Sequence, residues 1–172
     1  MEWTPHPFAR LPPVVTENSL HSETAIHRRV NDARAGLDPT LLGRCASGWA
    51  VFGHQQFVQG YLLLLPDPVV PDLNALTPER RSQFLLDMSH LGDALMLTTS
   101  PIRINYAIFG NVEPALHAHV IPRYRTEAEA MRTAHPWAYD WNTAPTFDPV
   151  AAAPLIRALR AELARLGVLR TP

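Results

Sequence analysis

Two apolar runs, GWAVFG at 48–53 and GYLLLLP at 60–66, are separated only by the connection HQQFVQ. Strands this close in sequence predict an antiparallel pair. The pattern repeats further along. IRINYAIF at 102–109 alternates like a strand, Gly110-Asn111 marks a turn or bulge, and residues 115–121 form another strand, stopped at Pro122. Strands that come in neighbouring pairs, instead of alternating with helices, argue for an α+β chain built on an antiparallel sheet.

Helical signals lie around these strands. Residues 20–35 read as a helix with Ser22 as cap and Gly36 as stop. Thr77-Pro78 combines a capping hydroxyl with proline at the first helical position, and Phe84, Met88, Leu91 and Leu95 then make one apolar face for packing on a sheet. His90 falls off that stripe and reads as a surface residue. A last helix runs from about Pro149 to Leu166, capped by Asp148 and stopped by Gly167, with the stripe Ala152, Leu155, Leu159, Leu163 and Leu166. Between them, residues 123–147 read as irregular and carry Trp137, Tyr139 and Trp141. Residues 1–18 hold Pro5, Pro7, Pro12 and Pro13 and read as an irregular arm. The remainder, 19–172, is expected to be one domain ending in the last helix.

Composition narrows the function. The net charge is −1, which advertises no broad basic surface for nucleic acid. All 15 basic residues are arginine, whose fixed charge suits phosphate wherever one reaches a site. Cys45 is the only cysteine, so neither an intramolecular disulfide nor a cysteine metal site is expected, and it reads as a small buried residue beside a strand. The N-terminal stretch has no long apolar run, and no segment reaches the roughly 18 apolar residues of a membrane span. A cytoplasmic protein without a membrane partner is the expectation.

The chemistry concentrates in NYAIFGNVEPALHAHVIPRY, residues 105–124. On a strand, residues i and i+2 share a face, so Ala115, His117 and His119 line one face and Leu116, Ala118 and Val120 the other. Three readings account for two imidazoles side by side. They could give two ligands to a metal that still needs a third, with Glu113 close in sequence but across a proline. They could be neutral, hydrogen-bonded structural residues. Or one could be a nucleophile toward phosphorus, its second ring nitrogen holding a proton on a backbone carbonyl, while the other donates to a phosphate oxygen.

The stretch HAHVIPR resembles the histidine triad motif, with the Pro-Arg ending of the diadenosine-polyphosphate hydrolase branch. The longer pattern Asn-Tyr-x-x-x-Gly-Asn-x-x-x-x-Leu-His-Ala-His-x-x-Pro-Arg-Tyr resembles bacterial histidine triad proteins, and the similarity extends from about Gly48 to Tyr124. The resemblance implies an antiparallel sheet of about five strands with packed helices, and a homodimer paired through the helix and strand near residues 77–105. It implies hydrolysis of a small-molecule nucleotide, of the dinucleoside polyphosphate or nucleoside phosphoramidate type, through a nucleotidyl-histidine. A nucleotidyltransferase and a nucleotide-binding module without turnover are the alternatives. By the same resemblance His117 is the nucleophile and His119 a phosphate ligand. Asn111 contacts phosphate and Asn105 orients the substrate near the leaving group. Tyr61 stands where the family has a second-strand histidine, and Ala115 where it has the first histidine of the motif. A nucleotide-binding group on the first hairpin is expected around His54, Gln55 or Gln56. No cofactor is expected to be held by the protein itself; magnesium, where it enters, comes with the substrate.

Overall fold

The computed structural model describes residues 23–169; the arm 1–18 and Ser22 lie outside them. Helix α1 spans Ala25–Arg34 and starts from Thr24, not from Ser22. Thr24 and His27 form a reciprocal box: the threonine oxygen accepts from the His27 N–H, and the His27 ring accepts from the Thr24 N–H. Gly36 ends the turn with φ of 70°.

Five strands follow: β1 Leu41–Arg44, β2 Gly48–Phe52, β3 Leu62–Pro66, β4 Arg103–Ile108 and β5 Ala118–Arg123. They form one sheet in the order β1-β2-β3-β5-β4, and every neighbouring pair is antiparallel. The expected β2–β3 hairpin pairs Gly48 with Pro66 through to Phe52 with Leu62. Strand β1 was not legible, because LLGR is short and carries a glycine. A register irregularity between Leu41 and Gly43 bends it, and the Arg160 guanidinium donates to the Leu41 and Leu42 carbonyls at 3.0 and 2.8 Å.

The second expected strand is shifted. It begins at Ala118, and it runs through Pro122 to Arg123 where a stop was expected. The reason is pairing: β3 partners only Ala118, His119 and Val120, so Pro122 lies where β5 is bonded to β4 alone. A missing N–H is tolerated in that singly paired stretch.

Helix α2, Pro78–Thr99, is capped by Thr77 as expected, and α4 spans Ala153–Arg165. Asp148 does not cap α4; it accepts from Val150 and Ala151 N–H in the turn that precedes it. Both helices lie on one face of the sheet, where Phe84, Leu91, Leu95, Leu159 and Leu163 pack on Phe52, Leu62, Leu64, Ala118 and Val120. His90 is half-buried, not fully exposed. The other face is covered by Ile26 and Val30 of α1, packed with Val51, Leu63, Leu65 and Ile121. Coverage on both faces explains why β3 reads as an unbroken apolar run. Cys45 is fully buried, and burial pushes its thiol up to about 12, which makes it inert. No described helix is long and apolar enough to cross a membrane.

Segment 124–147 departs from the sheet and returns to it. Its one regular piece of α-helix is α3, Glu129–Arg132, followed by a 3₁₀ turn at Pro136–Ala138. Its far end is bonded to the β2–β3 connection: Gln56 N–H donates to Pro145 and Phe147 N–H to the His54 carbonyl, both at 2.7 Å. Its near end is held by Arg123. That guanidinium is only 2% exposed, grips the Glu127 carboxylate with Nε and Nη2, and donates to the Met131 and Ala134 carbonyls. Tyr139 adds its hydroxyl to Glu127 at 2.6 Å. Burial works to raise the Glu127 pKa, but Arg123, Tyr139 and the Tyr124 N–H together hold it below the usual carboxylate range.

Candidate active site

His119 is the second residue of β5, opposite Leu63 on one side and Ala107 on the other. His117 lies just ahead of the strand. Its approach is fixed by backbone bonds: Leu116 N–H donates to Val70 at 2.8 Å and Ala115 N–H to Glu113 at 2.9 Å. The alternation expected from the sequence holds. Leu116, Ala118 and Val120 join the core under α2, and Ala115 joins the opposite face. The imidazole centroids are 4.8 Å apart, at 70° to each other.

Each ring has one nitrogen spoken for. His117 Nδ1 is 2.8 Å from the Ala115 carbonyl, which can only accept, so Nδ1 carries the proton and Nε2 keeps a free lone pair. Tyr61 Oη is 2.6 Å from His119 Nδ1. Burial pushes the Tyr61 pKa up, so the phenol is the donor, Nδ1 the acceptor, and His119 Nε2 carries the proton. Burial, and then the neighbouring His117, lower the His119 pKa to about 3. With both rings neutral, the pair offers one nitrogen with a free lone pair and one N–H donor.

The site depends on Gly53 for the placement of Tyr61. A Cβ at Gly53 would lie 2.2 Å from the Tyr61 ring, so only glycine admits the phenol against this backbone. Tyr61→Phe should leave His119 Nδ1 buried without a donor. The expected cost is about 1–3 kcal/mol, read from the urea midpoint. The fraction of His119 protonated at Nε2 should also fall, read from imidazole ¹⁵N shifts. An unchanged midpoint and unchanged shifts would contradict the assigned bond.

His117 and His119 line one cavity of about 530 Å³, although they are only 8% and 7% exposed themselves. Asn111 lines it too, as expected. Asn105 shares the histidine face of the sheet, but it opens into an adjoining cavity of about 320 Å³. His135 and Trp137 form the wall between the two cavities. Gln56 lies elsewhere: its amide donates to the Gly53 and Tyr61 carbonyls and accepts from Gly60 N–H, closing the β2–β3 loop. Tyr61 stands behind His119.

Other residues of the cleft were not assigned from sequence. Glu113, Phe109, His135, Trp137 and Trp141 line it with the histidines. Trp137 meets His119 and Phe109 edge-on at 5.0 Å, and its ring centroid is 5.6 Å from that of Trp141. The available signal was three aromatics within five residues of an otherwise polar, irregular segment. Two polar atoms on this lining are buried without a hydrogen-bond partner among the described residues, Glu113 Oε1 and Trp141 Nε1. Among the described residues, no group of three or more His, Cys, Asp and Glu side chains is placed to hold a metal ion.

A five-stranded antiparallel sheet with His119 on an inner strand and His117 just ahead of it, its imidazole held by a backbone carbonyl, is a fold of the histidine triad class. Residues 49–126 match the family model of the HIT domain. No curated protein matches the chain by sequence. Among solved structures, a histidine triad protein from Bradyrhizobium japonicum is similar at 23% identity and a TM-score of 0.63, over 74% of this chain and 94% of that one. One from Marinobacter aquaeolei is similar at 19% identity and 0.66, over 83% and 98%. A hypothetical histidine triad nucleotide-binding protein from Sulfolobus tokodaii is similar at 10% identity and 0.63, over 81% and 93%.

Proposed function

We propose that the chain is a nucleotide phosphate hydrolase in which His117 attacks the α-phosphorus. HIT proteins are generally nucleotide hydrolases or transferases, and one similar fold is named for nucleotide binding. The observation that carries the reading is the tautomer set by Ala115: a carbonyl acceptor at 2.8 Å on Nδ1 leaves Nε2 as an unprotonated nucleophile on the cleft. A bond forms from Nε2 to phosphorus as the bond to the leaving group breaks. The leaving group departs with the electron pair, and an amine takes its proton from water in the open cleft. His119 Nε2–H donates to a phosphate oxygen and, being neutral, does so without a proton to lose. The nucleotidyl-imidazolium keeps its Nδ1 proton on Ala115. Water then adds to phosphorus, the N–P bond breaks toward Nε2, and a nucleoside monophosphate and a proton are released. Ala115 in place of the motif's first histidine leaves this path intact, because the carbonyl that holds His117 is backbone. Magnesium, where it takes part, arrives on the substrate.

The test is incubation with adenosine phosphoramidate, quenched in the first turnover and examined by intact mass. A nucleotidyl adduct on His117 and release of the monophosphate are expected. Saturable binding with neither product would leave a binding module.

Homodimer formation belongs to the same proposal. Leu85 and Leu86 are exposed, and so are Met96 and Leu97 eleven residues on, about three turns along the same side of α2. Ile102 and Tyr106, on and beside β4, are exposed as well, and β4 is the sheet's last strand among the described residues. Light scattering in dilute solution should give twice the chain mass; a clean monomer mass counts against the interface.

A further inference from the structure

The cleft beside the nucleophile is unusual in its charge. A site for an anionic leaving group would be expected to offer fixed cations. None of the residues lining this one is arginine, and the chain has no lysine. Glu113 is the one acidic residue on the lining, and its Oε1 is buried without a donor among the described residues. A buried acceptor left unpaired is costly, and because the Glu113 side chain as a whole is only half-buried, its carboxyl group can turn toward a donor that arrives with the ligand. The same lining carries aromatic rings with exposed surface: Phe109 is 41% exposed and Trp137 40%, with Trp141 beside Trp137. Indole faces attract cations through the ring quadrupole, and a carboxylate among such faces suits an organic ammonium better than any neutral or anionic group.

We propose that this part of the cleft recognises an organic cation, held by the Glu113 carboxylate and the faces of Trp137 and Trp141, as the substituent of the departing amine. The inference rests on the His117 reading and narrows it to nucleoside phosphoramidates of cationic amines. The P–N bond breaks, the nitrogen takes a proton from water, and a charged amine leaves. The carboxylate opposes a polyphosphate in the same place by like-charge repulsion. Asn111 and the His119 N–H remain for the phosphate itself.

Two measurements on the full chain test it. In the first, choline is titrated and tryptophan fluorescence followed, with 3,3-dimethylbutanol as the neutral analogue of the same shape. Saturable quenching by choline is expected, at least tenfold tighter than by the neutral analogue, and weakened roughly tenfold by Glu113→Gln or Trp137→Leu. Equal response to both compounds, or a response to neither, overturns the proposal. So does a response to adenosine alone, which would assign the rings to a base. In the second, adenosine phosphoramidates of (2-aminoethyl)trimethylammonium and of 3,3-dimethylbutylamine are compared by kcat/KM. A preference for the cationic one that Glu113→Gln abolishes is expected. Turnover of both at equal rates overturns the cation site while leaving His117 chemistry standing. Choline binding without turnover of either substrate upholds the cation site and removes the hydrolase reading.

Discussion

His117→Ala should lower single-turnover release of nucleoside monophosphate to the uncatalysed background and abolish the nucleotidyl adduct, while nucleotide still binds. Ala115 holds the His117 Nδ1 proton and so turns Nε2 toward the cleft as the attacking nitrogen, a role that no neighbouring side chain is placed to take over in the proposed mechanism. His117→Gln should behave alike, because an amide nitrogen has no comparable lone pair. His119→Ala should retain the adduct but slow its formation by about 10²–10³, the usual effect of losing one preorganised donor to a developing oxyanion, or roughly 3–4 kcal/mol. Wild-type turnover in His117→Ala would overturn the mechanism. His119 also gives the fold a pH dependence. Its folded pKa is about 3, below the unfolded value near 6.5, so between these values the unfolded chain binds the extra proton. Stability from this group is therefore complete above about pH 6.5 and is lost as pH falls toward 3. His119→Ala should flatten that part of the stability profile.

Arg123→Ala should cost about 3–5 kcal/mol, because it leaves the buried Glu127 carboxylate and the carbonyls of Met131 and Ala134 without their donor. The loss should be read in the urea midpoint. Its effect on function is separable. The segment that Arg123 holds carries Trp137 and Trp141, so KM should rise and tryptophan emission should shift to the red, while His117 and His119 stay on the sheet. Arg123→Lys keeps the charge but not the planar fork, and should recover only part of the midpoint. An unchanged KM in a folded Arg123→Ala protein would show that the segment does not shape the cleft.

The elements legible in the sequence were those that carry a period or a strong terminator. The β2–β3 pair, the Thr77-Pro78 start and the stripe Phe84, Met88, Leu91 and Leu95 read directly, because one face of each is apolar or one end is chemically marked. The shared face of the two histidines and the separation of Leu116, Ala118 and Val120 followed from the two-residue period of a strand, whereas Asn111 was singled out by the resemblance. β1 did not, since four residues with a glycine carry no period. Pro122 misled because a proline stops only a strand bonded on both sides. Trp137 and Trp141 were missed as cleft residues because their placement comes from long-range closure: Arg123 anchors one end of segment 124–147 and the β2–β3 connection the other. Gln56 was singled out from a resemblance, and the geometry gives its amide to three backbone groups of its own loop.

The two margins of the sheet are unlike. At β1 the bend and the Arg160 guanidinium occupy carbonyls that a foreign strand would need, so that side resists templated growth into aggregates. At β4 no comparable device is present among the described residues. Accretion through backbone pairing is therefore directional: among the described strands, it is β4, the neighbour of the strand that carries His119, whose outer edge is open to a further strand. That open margin is also where Asn105, Tyr106 and Ala107 line the cavity that adjoins the imidazoles across His135 and Trp137, so the edge of the sheet and the edge of the site run side by side.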